Sequence, residues 1–365
     1  MLKVGIIGLG VMGRTHLGAY AKRDDVRVVA IARPRANAPL QSGNHVGNIP
    51  GLGECATDVS AVRQYADGME LISDSDVDVV DICLPTPLHL RYGLAAIRAS
   101  KHVLIEKPLA RTADQAFALA EAARRGGGIS MCAMCMRFWP GWTWLKEAID
   151  SQRYGKVRSA HFRRLSSHPR GAFYASGHES GGGVLDLHIH DTDFVQFCFG
   201  LPEAVTTAGY SAVTDRLDHV MTRYHYKDGP MVTAEGGWAM ADGFEFCMQY
   251  TVNFEAATAM FDLAAPRPLT LWKPGSPAEV VKLSQATGYD HEIDYFLKCI
   301  RRNEMPETVT LEDAARSIAI VEAEVRSARS GKAERIEFRA AGDKVGPVNT
   351  DRAHPSHDAG PAGLG

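Results

Sequence analysis

The sequence of 365 residues lacks the features that mark a membrane or nucleic-acid-binding protein. No apolar run approaches the roughly 18 residues that a membrane-spanning helix needs. Its 40 Lys and Arg residues nearly balance 43 Asp and Glu residues, so no basic excess exists to attract nucleic acid or anionic lipid. The apolar N-terminus also lacks the basic segment and the cleavage site of a secretory signal. This composition favours a small-molecule partner.

Cysteine is scarce and gives no disulfide framework. The 7 cysteines are scattered and mostly lie in apolar runs, a pattern typical of reduced thiols in a reducing compartment. We therefore expect a cytoplasmic protein. Cys132 and Cys135 have CxxC spacing, but no second pair exists, so this spacing favours core packing over zinc or redox chemistry. We predict no metal.

Apolar runs alternate with helical patterns in the first third of the chain. The predicted strands are Lys3–Ile7, Val26–Ala32, Val77–Leu84, His102–Ile105 and Ile129–Met134. Such strands are apolar on both faces, and they indicate a parallel sheet covered by helices on both sides. Beyond Phe138 the strands instead alternate apolar and polar residues, which predicts a large, mostly antiparallel sheet with one face on helices.

The expected fold class is therefore α/β plus α+β, with an N-terminal Rossmann doubly wound parallel sheet. We place the first domain at residues 1–136 and the second at residues 137–340. Residues 341–365 are rich in Gly, Pro, Asp and His and nearly lack large apolar residues, so we predict a disordered tail.

The glycine turn after the first strand predicts a dinucleotide site. Gly8 allows the turn, Gly10 lets the backbone approach a pyrophosphate, and Gly13 lets the helix pack close to the sheet. Val11 and Met12 open the helix, whose free N–H groups would receive the phosphates. The motif follows a strand and opens a helix, so a purely structural turn is the weaker interpretation. The predicted cofactor is NADP(H) or NAD(H).

The end of the second strand bears on the choice of cofactor. NAD enzymes usually carry an acid there that binds the ribose 2′-hydroxyl. Here Arg33 and Arg35 stand in its place, and guanidinium groups pair well with a 2′-phosphate. This favours NADP(H). The alternative is that both arginines are solvated and that NAD binds without the acid.

Glu106-Lys107-Pro108 lies at the end of a predicted parallel strand, where ligands bind in open sheets. Lys107 could donate a hydrogen bond to a substrate oxygen and stabilise negative charge that develops on it. Glu106 could hold the lysine or contact the cofactor ribose. The alternative is a surface lysine in a turn, and a cis bond before Pro108 would suit this position.

A triple glycine at residues 181–183 precedes a segment that is rich in His and Asp. If the segment is one helix, Asp186 and His190 share a face at i and i+4, a good arrangement for a general acid–base. A structural helix start is the second interpretation. The third is a metal site with His188 and His190 and with His178 or Glu179 as a third ligand.

Arg137 and Trp139 stand at the domain junction within an aromatic cluster. Such clusters usually pack, but Trp139 beside Arg137 could face the crevice and contact a substrate.

Together these motifs resemble the Gfo/Idh/MocA family, named for glucose–fructose oxidoreductase and inositol 2-dehydrogenase. The matching residues run in order over residues 1–335: the glycine turn, Pro85-Thr86-Pro87-Leu88-His89, Lys101 to Leu109, Arg137 to Pro140, Asp186 to Asp191, Glu235 to Trp238, and Tyr289, Glu292 and Phe296 of a late helix. The Glu-Lys-Pro and Asp-x-x-x-His combination is quite specific for this family.

The resemblance implies an NAD(P)-dependent enzyme that moves a hydride to or from a hydroxyl-bearing carbon of a sugar, cyclitol or glycoside. It implies that Lys107 touches the substrate hydroxyl, that His190 is the acid–base, and that Asp186 binds substrate or tunes His190. It also implies cofactor contacts by Leu84, Pro85, Thr86 and His89, and a substrate contact by Tyr289. The resemblance further implies that residues 1–136 are the NAD(P)-binding Rossmann domain and that residues 137–340 are the substrate and oligomerisation domain. The open sheet face of such proteins often forms dimers or tetramers, so we expect a homo-oligomer.

The sequence departs from the family pattern in three places. The segment at 34–57 is long and could be a lid over the adenine end or a disordered loop. His188, where many relatives have glycine, and Cys135, where asparagine is frequent, leave the substrate identity open. Two rival functions also remain. One is a glycoside hydrolase or lyase that works by transient oxidation, for which His178, Glu179 or Tyr289 would have to line the pocket. The other is a non-catalytic cofactor sensor, although a sensor has no need of an acid–base pair.

Overall fold

The computed structural model describes residues 1–33, 52–53 and 59–337. Arg35, most of the 34–57 segment and the tail at 341–365 lie outside these residues, so the expectations for them remain predictions. Among the described residues, no helix is both long enough and apolar enough to cross a membrane.

The first third of the chain forms a six-stranded sheet in which every strand pairs in parallel. Its strands are β1 (Leu2–Ile7), β2 (Val26–Ala32), β3 (Arg63–Tyr65), β4 (Val79–Ile82), β5 (His102–Glu106) and β6 (Ser130–Ala133). Its helices are α1 (Val11–Ala21), α2 (Gly68–Ser73), α3 (His89–Arg98) and α4 (Ala113–Arg125). The strand order β3-β2-β1-β4-β5-β6 reverses between β1 and β4, which confirms the doubly wound Rossmann prediction.

The N-termini of α1 and α4 are capped differently. The Thr112 side chain accepts from Gln115 N and begins α4, whereas Gly10 begins α1 without a side-chain cap. Helix α1 therefore starts with N–H groups that no capping side chain satisfies, directly after the glycine turn.

The second sheet has nine strands, and all but one of its strand pairs are antiparallel. Its strands are β7 (Val157–Ser167), β8 (Ala204–Tyr210), β9 (His219–His225), β10 (Met231–Met240), β11 (Cys247–Phe254), β12 (Thr258–Asp262), β13 (Leu269–Trp272), β14 (Glu279–Val280) and β15 (Glu334–Arg335). Only β7 and β10 run parallel, at the centre of the sheet. The mostly antiparallel prediction is thus confirmed.

Seven helices accompany the second sheet or return to the first. They are α5 (Pro140–Asp150), α6 (Ala172–Ala175), α7 (Gly177–Ser180), α8 (Gly182–Asp186), α9 (Ile189–Phe199), α10 (Gly288–Arg302) and α11 (Leu311–Ser330). Helix α10 packs on α1, and α11 packs on α4 and α9. Ile293, Phe296 and Ile318 therefore belong to the same apolar core as β1 and β4. The core joins the two sheets across the predicted boundary at residue 136.

Candidate active site

The glycine turn lies at the point where the strand order reverses. A Cβ at Gly8 would lie 2.3 Å from the Cys83 carbonyl oxygen, and a Cβ at Gly13 would lie 2.1 Å from the Gly8 carbonyl oxygen. Gly8 also has φ = +94°, a region that favours glycine. Among the described residues, no atom lies within 4 Å of a Cβ position at Gly10, so a ligand can approach the backbone there. Together with the uncapped start of α1, which Val11 and Met12 form, this geometry fits a pyrophosphate.

The loop after β4 forms the other side of this crevice. Leu84 is half-buried, Pro85 is exposed and Thr86 is buried at the start of a 3-10 turn. His89 is fully buried, and its ring nitrogens lie 2.7 Å from Leu84 O and 2.8 Å from Pro108 O. Burial lowers the pKa of His89. A neutral imidazole carries one N–H and so donates to only one of these two carbonyl oxygens, but both ring nitrogens face the backbone of the loop.

Glu106 ends β5 and belongs to a buried network that the sequence analysis missed. Its Oε1 lies 3.2 Å from His16 Nε2, and its Oε2 accepts from Lys107 N at 2.9 Å. His16 Nδ1 in turn lies 2.8 Å from Asp81 Oδ2. Burial alone would lower the pKa of His16. The interactions with Asp81 and Cys83 favour the protonated ring, and the net effect raises the His16 pKa well above its usual value. The protonated imidazole thereby joins α1, β4 and β5 directly behind the glycine turn.

The signal for this network was present in the sequence. His16 stands three residues after Gly13 on the buried face of a helix, and Asp81 interrupts an apolar strand. His16, Asp81 and Cys83 also form the group of potential metal ligands that the described part of the chain contains. His16 Nδ1 already pairs with Asp81 Oδ2 as an ion pair, while His16 Nε2 has no hydrogen-bond partner among the described residues.

Lys107 follows Glu106 and reaches across to the second half of the chain. Its peptide bond to Pro108 is cis. Its Nζ donates to the backbone oxygen of Asp186 at 2.8 Å and lies 3.7 Å from Asp186 Oδ1. The side chain is 16% exposed. A lysine ammonium has three donors, so this contact leaves donors for a ligand.

His190 lies near Lys107, but the predicted single helix is wrong. Helix α8 ends at Asp186 and α9 begins at Ile189, so Leu187 and His188 separate them. His190 is buried, and its Nδ1 has no hydrogen-bond partner among the described residues. Burial first, then the charges of Lys107 and Arg164, lower its pKa well below the usual value. The imidazole is therefore neutral at neutral pH and can accept a proton.

His188 occupies a different environment from His190. It is fully buried, and its Nε2 lies 3.5 Å from Glu324 Oε1 and 3.4 Å from the hydroxyl of Tyr224. A Cβ at Gly236 would lie 2.3 Å from its Nδ1, so His188 packs directly beneath β10. This placement does not bring His188 and His190 together as ligands of one metal ion. His178, the further ligand considered above, is exposed.

Arg137, predicted to contact the substrate, has several internal partners. It is buried, and its guanidinium forms a bidentate pair with Asp193 at 2.8 and 2.7 Å. Its Nη1 also donates to Thr308 O at 2.7 Å. Because these structural partners occupy its donors, the substrate contact predicted for Arg137 has no geometric support.

Trp139 and Tyr289 contact each other. Trp139 is buried and meets the half-buried Tyr289 edge to face, with ring centroids 5.8 Å apart. Burial raises the pKa of Tyr289, so its hydroxyl stays protonated. The pair forms the junction between α5 and α10, and Tyr289 retains the polar end that a substrate contact requires.

Arg33 is the described member of the predicted 2′-phosphate pair. It directly follows β2, and its backbone N–H donates to Tyr65 O at 3.0 Å. Its Nε approaches Gln64 Oε1 at 3.4 Å. The residue thus lies at the carboxyl edge of the sheet, one strand away from the glycine turn.

The two halves of the chain match two family models. Residues 2–134 match the oxidoreductase family with an NAD-binding Rossmann fold, and residues 142–259 match the GFO/IDH/MocA C-terminal domain. The solved structure of levoglucosan dehydrogenase with NADH and levoglucosan has a TM-score of 0.78 at 21% identity. This match covers 92% of this chain and 100% of that chain, so the two share a fold.

Similar sequences include the myo-inositol 2-dehydrogenase of Thermotoga maritima, 30% identical over 251 residues, which are 67% of this chain and 71% of that protein. The 1,5-anhydro-D-fructose reductase of Ensifer adhaerens is 28% identical over 356 residues, which are 92% of this chain and 99% of that protein. The inositol 2-dehydrogenase 2 of Saccharopolyspora erythraea is 30% identical over 208 residues, 57% of this chain, and the match spans only 56% of its own length. The chain belongs to the Gfo/Idh/MocA oxidoreductase family, as its motifs predicted.

Proposed function

We propose that this protein is an NAD(P)-dependent oxidoreductase that transfers a hydride to or from a hydroxyl-bearing carbon of a sugar-like substrate. The observation that carries the proposal is the meeting of Lys107 with the Asp186 segment, beside a buried histidine of lowered pKa, His190. Lys107 stands at the carboxyl edge of the parallel sheet that also presents the glycine turn, where ligands of such sheets bind.

The residues divide the chemistry between them. A bound nicotinamide would supply the hydride acceptor or donor. During oxidation, the neutral His190 accepts the hydroxyl proton, and the Lys107 ammonium stabilises the negative charge that develops on the oxygen. The Asp186 carbonyl holds Lys107 in position. In reduction, the protonated His190 returns the proton to the carbonyl oxygen.

The cofactor site extends from the glycine turn to Arg33. Gly8, Gly10, Val11, Met12 and Gly13 would hold the pyrophosphate, while Leu84, Pro85, Thr86 and Glu106 would line the nicotinamide side. Arg33 at the end of β2 supports NADP(H) over NAD(H), because no acid stands there to bind a ribose 2′-hydroxyl. The relatives named above act on cyclitols and anhydro sugars by their names, which supports a sugar, cyclitol or glycoside as substrate.

We further propose a cytoplasmic homo-oligomer that assembles through the second sheet. The face of this sheet that points away from the buried strand residues carries Met221, Met231, Met260 and Trp272, which are 40% to 59% exposed. Single exposed apolar residues are ordinary, but four on one sheet face favour a protein contact.

Two substitutions test the function. Lys107→Ala and His190→Ala should each lower turnover about 10²–10⁴-fold, because each removes a group that acts on the reacting oxygen. Binding of NAD(H) and NADP(H), measured by fluorescence titration, should remain. The substrate panel comprises sugars, cyclitols and glycosides, with turnover followed by the absorbance of the reduced cofactor.

Matched controls come from residues of the same type elsewhere in the chain. Lys332→Ala changes an exposed lysine, and His291→Ala changes a histidine on α10. Both variants should retain wild-type turnover. Undiminished turnover in Lys107→Ala or His190→Ala would refute the assignment, as would a wild-type protein that binds neither cofactor.

A further inference from the structure

Two arginine side chains at the glycine turn before α8 each have one buried guanidinium nitrogen without an acceptor among the described residues. Arg111 follows the loop after β5, and its Nη1 is buried with no hydrogen-bond partner among the described residues. Arg216 lies between β8 and β9, and its Nε is also buried with no hydrogen-bond partner among the described residues. Asp215 does not supply the acceptor, because it is 69% exposed and 3.9 Å from Arg216 Nε. We call Arg111 and Arg216 the arginine pair.

Both arginines of the arginine pair contact one glycine turn, Arg111 with its guanidinium and Arg216 with its Cβ. A Cβ at Gly181 would lie 2.3 Å from Arg111 Nη1, and a Cβ at Gly182 would lie 2.6 Å from Arg216 Cβ. Both glycines have positive φ, +89° and +79°, which is the region that favours glycine. This turn leads into α8, whose last residue holds Lys107. The chain thus connects the arginine pair to the reacting centre through a single short helix.

The local charges leave a deficit of anions. Burial and then the charge of Arg216 lower the pKa of Arg111, while Asp186 opposes this effect. Asp186 also lies 3.7 Å from Lys107 Nζ, so one carboxylate serves two cations. The Arg216 side chain is 39% exposed, so the deficit falls mainly on Arg111, whose buried Nη1 has no acceptor among the described residues. An additional anion would complete this environment.

We propose that the arginine pair is an anion subsite that binds a carboxylate or phosphate group of the substrate, so the sugar-like substrate is acidic. The inference rests on the proposed function and names the substrate class for it. A guanidinium group can bind either oxyanion through two parallel hydrogen bonds. The phosphates of the dinucleotide are placed at the glycine turn after β1, so the arginine pair is left for the substrate.

Equilibrium binding to the cofactor-loaded full chain tests the subsite. The probes are D-glucose, D-glucuronate and D-glucose 6-phosphate, titrated calorimetrically at one fixed ionic strength. At least one acidic probe should bind about tenfold or more tightly than glucose, as expected for hydrogen bonds to a charged group. The glucuronate and phosphate arms distinguish the two sources of the anion.

Variants locate the effect. Arg111→Ala and Arg216→Ala should each remove most of the preference for the acidic probe, whereas Arg111→Lys should retain part of it because the charge remains. The matched control is Arg98→Ala, which changes an exposed arginine on α3. Cofactor affinity, measured in the same samples, should not change in any of these variants.

Two results would overturn the subsite. The first is that neither acidic probe binds more tightly than glucose. The second is a preference that survives in both Arg111→Ala and Arg216→Ala, which would reflect attraction to the whole protein. Failure of the proposed function has a different signature, because it appears as absent binding of NAD(H) and NADP(H). If the protein binds neither cofactor, titration of the acidic probes into the cofactor-free protein still tests the arginine pair.

Discussion

Two groups of arginines lie within the same part of the molecule, and they differ in their partners. Arg137 and Arg164 are almost fully buried, and each forms a close pair with its own carboxylate, Asp193 or Asp191. The arginine pair, Arg111 and Arg216, is only partly buried and has no such carboxylate. The free energy of an isolated buried charge is high, so the first group is explained by its internal partners and the second is not.

The difference shows how to separate structural cations from ligand-binding ones. A buried cation with a bidentate carboxylate contributes to the fold, and it can offer little to a substrate. A cation near the reacting centre with unoccupied donors gains most when a ligand arrives. Lys107 belongs to the second kind, because a backbone oxygen is its closest partner and its nearest carboxylate oxygen is 3.7 Å away.

The largest effect should separate Arg137 from Arg111. Arg137→Ala leaves Asp193 buried and unpaired, and should lower the free energy of unfolding by about 3–5 kcal/mol. Arg111→Ala should change it by less than about 1 kcal/mol, because no ion pair is broken. Urea unfolding of the cofactor-free protein measures both.

A double variant sharpens this comparison. Arg137→Met combined with Asp193→Leu removes both charges and should be clearly more stable than Arg137→Ala alone. If Arg111→Ala were as destabilising as Arg137→Ala, the distinction between the two groups of arginines would fail.

Much of the fold could be predicted because its signals are local. The glycine turn, the strands apolar on both faces and the alternating strands each lie within a few consecutive residues, and the two sheets confirm them. Lys107 and His190 were selected in the same way. The ion pair of Arg137 could not be predicted, because its partner Asp193 is 56 residues away, whereas its neighbour Trp139 is adjacent in the sequence.

The rest depended on contacts that spacing does not encode. Asp186 and His190 have the spacing of one helical face, but the chain breaks the helix between them. The contact between Lys107 and Asp186 spans 79 residues. Arg111 and Arg216 belong to no sequence motif, and the contact that they share is with the turn at residues 181–182.

The next effect concerns the pKa of His190. Lys107 and Arg164 both lower it, but Asp191 partly cancels the charge of Arg164. Lys107→Met should therefore raise the His190 pKa more than the neutral double change Arg164→Met with Asp191→Leu. NMR titration of the His190 ring measures the shift, with the exposed Lys332→Met as the control.

The sign of the pH dependence follows from the same charges. His190 must be neutral to accept a proton, so oxidation slows as the pH falls through its pKa. Because that pKa is depressed, the wild-type rate should stay on its plateau from neutral to weakly acidic pH. A rate that falls near the ordinary histidine pKa of about 6.5 would contradict this environment.

The smallest effect concerns Arg33, a cation whose predicted partner is the 2′-phosphate of the cofactor. Arg33→Ala should weaken NADP(H) binding by about tenfold and leave NAD(H) binding nearly unchanged, because only NADP(H) carries that phosphate. Fluorescence titration of both reduced cofactors measures the ratio, and Arg98→Ala is again the control. If binding of both cofactors weakened equally, Arg33 would support the loop at the end of β2 and would not bind the 2′-phosphate.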